Sequence, residues 1–173
     1  MSGAQEGDAI ALVGWRAEPS LAASELAKLR GEPLPDGLPA IDLAAVIATQ
    51  DAVREAVRRG TFSSAHDITE GGLAIAIAEC CLAGGVGATV AVDATAESQP
   101  AALFGEAPGG FVVSGPQSAL TALATSATVL IIGVVGGDSL RIDLGEAREP
   151  DLSLSVTLAE LAAAHRSLEA LFP

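Results

Sequence analysis

Aromatic residues are scarce in this chain: 3% of 173 residues, with one tryptophan, four phenylalanines and no tyrosine. Its core must therefore be built from alanine, leucine, valine and isoleucine, which dominate a hydrophobic content of 50%. That content excludes a disordered chain. Basic residues are also few, 9 against 22 acidic ones, giving a net charge of −13. A surface so poor in lysine and arginine argues against nucleic-acid binding, which needs cations to displace counterions from phosphates. It argues equally against docking on anionic membranes. The only cysteines, Cys80 and Cys81, are adjacent. Neighbours on a helix point about 100° apart and are not readily bridged, so a disulfide framework is excluded and reduced, buried thiols are expected. The two histidines, His66 and His165, lie far apart in sequence, and there is no C-x-x-C pair of the zinc-binding kind. G-x-S-x-G and a phosphate-binding lysine loop are missing as well.

The length suits one domain. Met1 to Glu6 holds neither a basic nor an apolar run, so residues 1–6 are expected to form a flexible N-terminus rather than a signal peptide, with the domain over 7–173. Gly71 to Val92 is nearly all apolar, but Glu79 and the glycines Gly84, Gly85 and Gly87 divide it into a short buried helix and a strand rather than a membrane span.

Helical and strand patterns interleave along the chain. Strands are predicted at 8–14, 62–65, 88–92, 111–113, 128–135 and 139–144, the last an alternating edge strand. Helices are predicted at 21–29, 42–59, 73–82, 100–104 and 117–124, with a final one opening at Thr157-Leu158-Ala159-Glu160, a capping box. In that final helix Leu158, Leu161, His165, Leu168 and Leu171 fall on one stripe, where His165 serves packing. Asp42 caps the helix over 42–59, whose Leu43, Val46, Ile47, Val53 and Val57 recur near helical spacing as the core face. The predicted architecture is α/β (α+β): three α/β/α layers, a mixed sheet covered by helices.

Two clusters are candidates for chemistry. Ser63-Ser64-Ala65-His66-Asp67-Ile68-Thr69-Glu70-Gly71-Gly72-Leu73 lies where a strand ends and a helix begins, a usual place for ligands in sheet proteins. Asp67 and Glu70 offer Mg²⁺ the oxygen ligands it favours, and N–H groups near Gly71-Gly72 face an anion at the helix start. The alternative is structural: His66 and Asp67 hydrogen-bond the turn, Asp67 accepting its N–H groups, while Thr69 or Glu70 caps the helix. In the second cluster, Leu103 to Val113, Glu106 sits in a Gly/Pro-rich turn before a strand; it is either a site residue or a solvated surface carboxylate.

Together these clusters resemble the C-terminal domain of the aminoimidazole ribonucleotide (AIR) synthetase-related superfamily, and within it the phosphoribosylformylglycinamidine synthase family. That family reads S-A-H-D-V-S-D-G-G-L-A-V-A-L-A-E where this chain has Ser64 to Glu79, then G-G-V-G-A at Gly84 to Ala88 and L-F-G-E-S-x-G-R-x-V-V at Leu103 to Val113. Its G-D-x-I-x-L-x-G matches Gly7 to Gly14, and I-G-x-V-G-G-D-x-L-x-I matches Ile132 to Ile142.

The resemblance implies an AIR synthase C-terminal-domain-like fold, a layout shared with hydrogenase-maturation, selenophosphate and thiamine-phosphate enzymes. It implies the last of four domains in an ATP-dependent ligase of purine biosynthesis. That enzyme converts formylglycinamide ribonucleotide, ATP and glutamine-derived ammonia to the amidine through an iminophosphate. The family site maps onto His66, Asp67, Gly71, Gly72 and Glu106 for substrate or nucleotide and onto Asp67 for metal, with no catalytic residue in this chain. ATP and Mg²⁺ are implied for the whole enzyme, with neither expected to bind tightly to this domain alone. The implied partners are the N-terminal domains of the same synthase, glutaminase and small accessory subunits, in the cytoplasm. With a mean hydropathy of +0.46, the isolated domain is expected to self-associate as a homo-oligomer. Three departures from the family pattern suit a structural remnant. Ala107 replaces a hydroxyl, Gly110 replaces an arginine, and Ala22-Ala23-Ser24-Glu25-Leu26 replaces G-G-S-E-Y. A stand-alone nucleotide- or phosphate-binding domain without catalysis is the alternative.

Overall fold

The computed structural model describes residues 3–15, 19–33, 35–37, 40–92, 98–146 and 149–167. The elements follow in the order β1 (Ala9–Val13), α1 (Glu25–Leu29), α2 (Leu43–Arg58), β2 (Ser64–Ile68), α3 (Gly72–Gly84), β3 (Ala88–Val92), α4 (Gln99–Phe104), β4 (Gly110–Gly115), α5 (Gln117–Leu123), β5 (Val129–Val135), β6 (Ser139–Glu146), β7 (Glu149–Thr157) and α6 (Leu158–Ser167). One seven-stranded sheet runs β2-β4-β1-β5-β3-β6-β7. Its ladders are antiparallel except β3–β6, which is parallel, so the sheet is mixed.

Strand alternation sorts the apolar side chains into two cores. Ile10 and Leu12 of β1 join Leu73 and Ile77 of α3 and Leu140, Ile142 and Leu144 of β6 on one face. Ala9, Ala11 and Val13 join Val53 of α2 and Leu120 of α5 on the other. Helices thus flank both faces, giving the three predicted layers. The second face is covered beside β1, β2 and β4 and at the start of β5, where Val129 packs on the second core; farther along β5, Ile131 and Val134 stay exposed.

Local chemistry explains the helix boundaries. Asp42 accepts from Ala45 N at 3.0 Å, and Thr157 and Glu160 form a reciprocal capping box at the start of α6. Four details differ from the sequence reading. The inward face of α2 is Thr49, Val53 and Ala56, while Leu43 and Ile47 are 65% and 57% exposed. The reason is close approach: a Cβ on Gly14 would meet Thr49 Cγ2 at 2.3 Å, and one on Gly109 would meet Val46 Cγ2 at 2.8 Å. Small side chains let the helix lie there. The strand predicted at 62–65 instead runs Ser64–Ile68, so His66 and Asp67 belong to it. β6 is not an edge, because β7 pairs along its length. Finally, α6 buries no residue completely. Leu158 and Leu161 lean on the core, His165 is exposed, and Leu168 and Leu171 lie outside the described residues. Among the described residues, no helix is long and apolar enough to cross a membrane.

Candidate functional site

β2 divides the first cluster. Successive strand residues point to opposite faces, so the neighbours His66 and Asp67 enter different cavities. His66 lines a cavity of about 590 Å³ between β2, α3 and α6, together with Glu79, Cys80, His165 and Arg166. Its Nδ1 donates to the Asp67 carbonyl at 2.6 Å, and its Nε2 lies 3.3 Å from Glu79 Oε2. Both cysteines are free, and burial pushes each thiol up to about 11, which removes the thiolate that a nucleophile needs.

Asp67 lines the other cavity, about 660 Å³, at the C-terminal end of β2. Glu70 and Glu106 line it too, and α2 supplies a wall from Ala45 and Val46, extended by Ile41 just before the helix. Four carboxylates, those of Asp42, Asp67, Glu70 and Glu106, edge this space, and its described lining includes no lysine, arginine or histidine. Nearby, Lys28 pairs with Glu25. Glu25 holds that ammonium's pKa above its usual value, with Glu70 and Glu106 adding to the effect.

Glu106 is the organising residue. Its Oε1 accepts from Gly71 N at 2.9 Å and from Glu25 N at 2.8 Å, joining the starts of α3 and α1. Its backbone is fixed by a two-way bridge to Ser20, Glu106 N donating at 2.9 Å and Ser20 N at 3.3 Å. Ser24, fully buried, caps α1 by accepting from Ala27 N at 3.2 Å. Glu106 is therefore no free surface carboxylate, and it takes the role that the sequence assigns to Asp67. The Asp67 side chain is 59% exposed. Nor does Thr69 or Glu70 cap α3: Gly71 occupies the N-cap, with φ +82° and no side-chain bond of its own.

Of the five predicted site residues, the structure brings Asp67 and Glu106 to one cavity and bonds Gly71 to Glu106. Gly72 packs against the Phe104-Gly105 backbone, and His66 faces away. Sequence reasoning missed the α2 wall and the Ser20 bridge, since neither has a motif of its own. A metal finds no ready cage here: among the described residues, no three His, Cys, Asp or Glu side chains converge as ligands, and Glu106 Oε1 already holds two N–H groups.

The family profile described as "AIR synthase related protein, C-terminal domain" matches residues 5–145. The phosphoribosylformylglycinamidine synthase subunit PurL of Anaeromyxobacter sp. is 41% identical over 92% of this chain, which spans 22% of that relative's length. Among solved structures, Thermotoga maritima PurL complexed with FGAR superposes with a TM-score of 0.73 at 18% identity, over 93% of this chain and 29% of that one. The hydrogenase maturation protein HypE in complex with ATP gives 0.55 at 14% identity, over 92% and 54%. The two superpositions bear out the expected fold and its sharing with hydrogenase-maturation proteins. With its mixed sheet, its two cores and a profile match across most of its length, the chain belongs to the AIR synthase related protein, C-terminal domain family.

Proposed function

We propose that this chain serves as the C-terminal domain of a phosphoribosylformylglycinamidine synthase and acts there as a structural, accessory unit rather than a catalytic one. The 41% identity to a PurL subunit over 92% of the chain carries the assignment. In that reading the whole cytoplasmic enzyme converts formylglycinamide ribonucleotide, ATP and glutamine-derived ammonia to the amidine. Nucleotide and Mg²⁺ are then held mainly by other domains, and a glutaminase and a small subunit assemble on the complex. The exposed Ile41, Leu43 and Ile47 suit packing against neighbouring domains of the synthase, or against a second copy when the domain is alone.

The accessory role is supported by the charge of the cavity. Four carboxylates, with no lysine, arginine or histidine in the described lining, disfavour a phosphoribosyl group or a triphosphate, and Gly110 stands where the family places an arginine. Asp67 offers Mg²⁺ one exposed carboxylate, which is weak without oxygens from a bound phosphate. The test is an assay of the chain with ATP, formylglycinamide ribonucleotide and ammonia, alongside thermal melts with Mg²⁺-ADP. The expectation is no turnover and little gain in Tm. Turnover abolished by Asp67→Ala, or a large Mg²⁺-ADP rise lost in Asp67→Asn, would show a working site and overturn the accessory reading.

A further inference from the structure

We infer that Glu106 is a built-in anionic ligand: its carboxylate occupies the place at the start of α3 that an external phosphate or carboxylate would need, and so closes that position. The inference builds on the accessory reading of the same cavity, but its test is separate.

The geometry is specific. One oxygen, Oε1, receives N–H groups from Gly71 at the start of α3 and from Glu25 at the start of α1. Helix starts carry unsatisfied N–H groups and partial positive charge, which is why anions bind there. Here the anion belongs to the chain itself. Three constraints keep it in place. The two-way bridge to Ser20 fixes the Glu106 backbone. A Cβ on Gly105 would meet Ala101 O at 2.3 Å and Pro19 C at 2.8 Å, and one on Gly72 would meet Gly105 O at 2.6 Å. The segments on both sides of Glu106's contacts are thus packed backbone to backbone, and the carboxylate is held rather than swinging in solvent. An incoming anion would have to displace a tethered one, then sit beside Asp67 and Glu70 as well.

The inference makes Glu106 a positioning residue that joins two helix starts, and it predicts chemical rescue. Glu106→Ala opens the position and removes two charge-assisted bonds. Its Tm should fall by about 5–10 °C. Titration with sodium acetate, against sodium chloride at equal ionic strength, should restore much of that loss and saturate, as ligand binding to the folded state requires. Inorganic phosphate, more highly charged beside Asp67 and Glu70, should rescue less than acetate. Wild type should show only the general, non-saturating rise that kosmotropic anions give any folded chain. Glu106→Gln keeps a neutral oxygen acceptor, so it should fall less than Glu106→Ala and show no acetate response.

An unchanged Tm in Glu106→Ala would overturn the inference, as would an acetate response equal in variant and wild type. If Glu106→Ala does not fold in chloride, circular dichroism after dilution into acetate decides: recovery of the native spectrum supports the inference, and none refutes it. Failure of rescue leaves the nucleotide melts and turnover assay untouched, so this inference and the accessory role can fail independently.

Discussion

Replacing Gly72 by alanine separates two explanations of the Gly71-Gly72 pair. If the pair exists to let a ligand approach the backbone, adding a methyl group changes binding and leaves stability nearly alone. The structure gives the opposite answer. Gly72 has φ +73°, a left-handed conformation that costs a residue with a Cβ about 1–2 kcal/mol. Its Cβ would also meet Gly105 O at 2.6 Å, Phe104 C at 2.8 Å and Phe104 Cα at 2.9 Å. These are backbone atoms, so α3 must lift from the end of α4, and overpacking of this kind costs about 1–3 kcal/mol. The smaller unfolded-state entropy of alanine returns about 0.4–1 kcal/mol. The expected net loss is about 2–4 kcal/mol, a large share of the roughly 5–15 kcal/mol that stabilises an ordinary domain. Gly71→Ala is the control. Its φ is +82°, but the three atoms nearest its Cβ would all belong to the Ile75 side chain, Cγ1 at 2.7 Å and Cβ at 3.0 Å, rather than to backbone. A smaller loss than for Gly72→Ala, about 1–2 kcal/mol, is expected there, from the backbone and a side-chain contact at one residue. Urea unfolding followed by the fluorescence of Trp15, the one tryptophan, measures both. A Gly72→Ala loss below 1 kcal/mol, or equal losses in the two variants, would refute the packing argument.

Two further outcomes follow from the same geometry. Ala23 is the one described non-glycine residue with positive φ, +62°, where the family pattern has glycine; Ala23→Gly should stabilise by about 0.5–1 kcal/mol in urea melts, and a loss would count against strain at that turn. Glu160 accepts from Thr157 N and Oγ1, and those bonds hold its pKa below the ordinary 4.5. The contribution is therefore complete above pH 4.5 and drains away as pH falls through the lower folded value, so Glu160→Gln should lower Tm at pH 7 and converge with wild type in acid; a gap independent of pH would contradict this.

The parts of the fold written in short-range chemistry were legible in the sequence. Asp42 and Thr157-x-x-Glu160 announce helix starts because each satisfies N–H groups three residues away. The apolar run of β1 and the buried helix α3 needed only composition. Long-range geometry stayed hidden. The face of α2 was misread because its large residues keep the helical spacing, while the approaches of Gly14 to Thr49 and of Gly109 to Val46 come from distant chain. β7 went unread although Leu152, Leu154 and Val156 alternate with polar residues, a period-two signal that was available. At the site, His66 and Asp67 looked like one cluster because they are adjacent, and extending the strand through them sends them to opposite faces. Glu106 could be read as a site residue or as a surface carboxylate, but not as a tie between two helix starts, because its two N–H partners are remote in sequence and no local pattern names them.

The central position of β1 also sets a timetable. Ala9 pairs with Gly115 on one side and with Val134 on the other, so an early strand waits for two late ones. Closing such loops delays the first productive contacts, and sheets dominated by distant pairings fold in milliseconds to seconds rather than microseconds. During synthesis at about 5–20 residues per second, Ala9–Val13, five residues that end up wholly buried, leave the ribosome many seconds before either neighbour exists. A nascent chain of this kind carries an unpaired apolar strand until β4 and β5 emerge, and holding that strand unassociated over that interval is work for a chaperone.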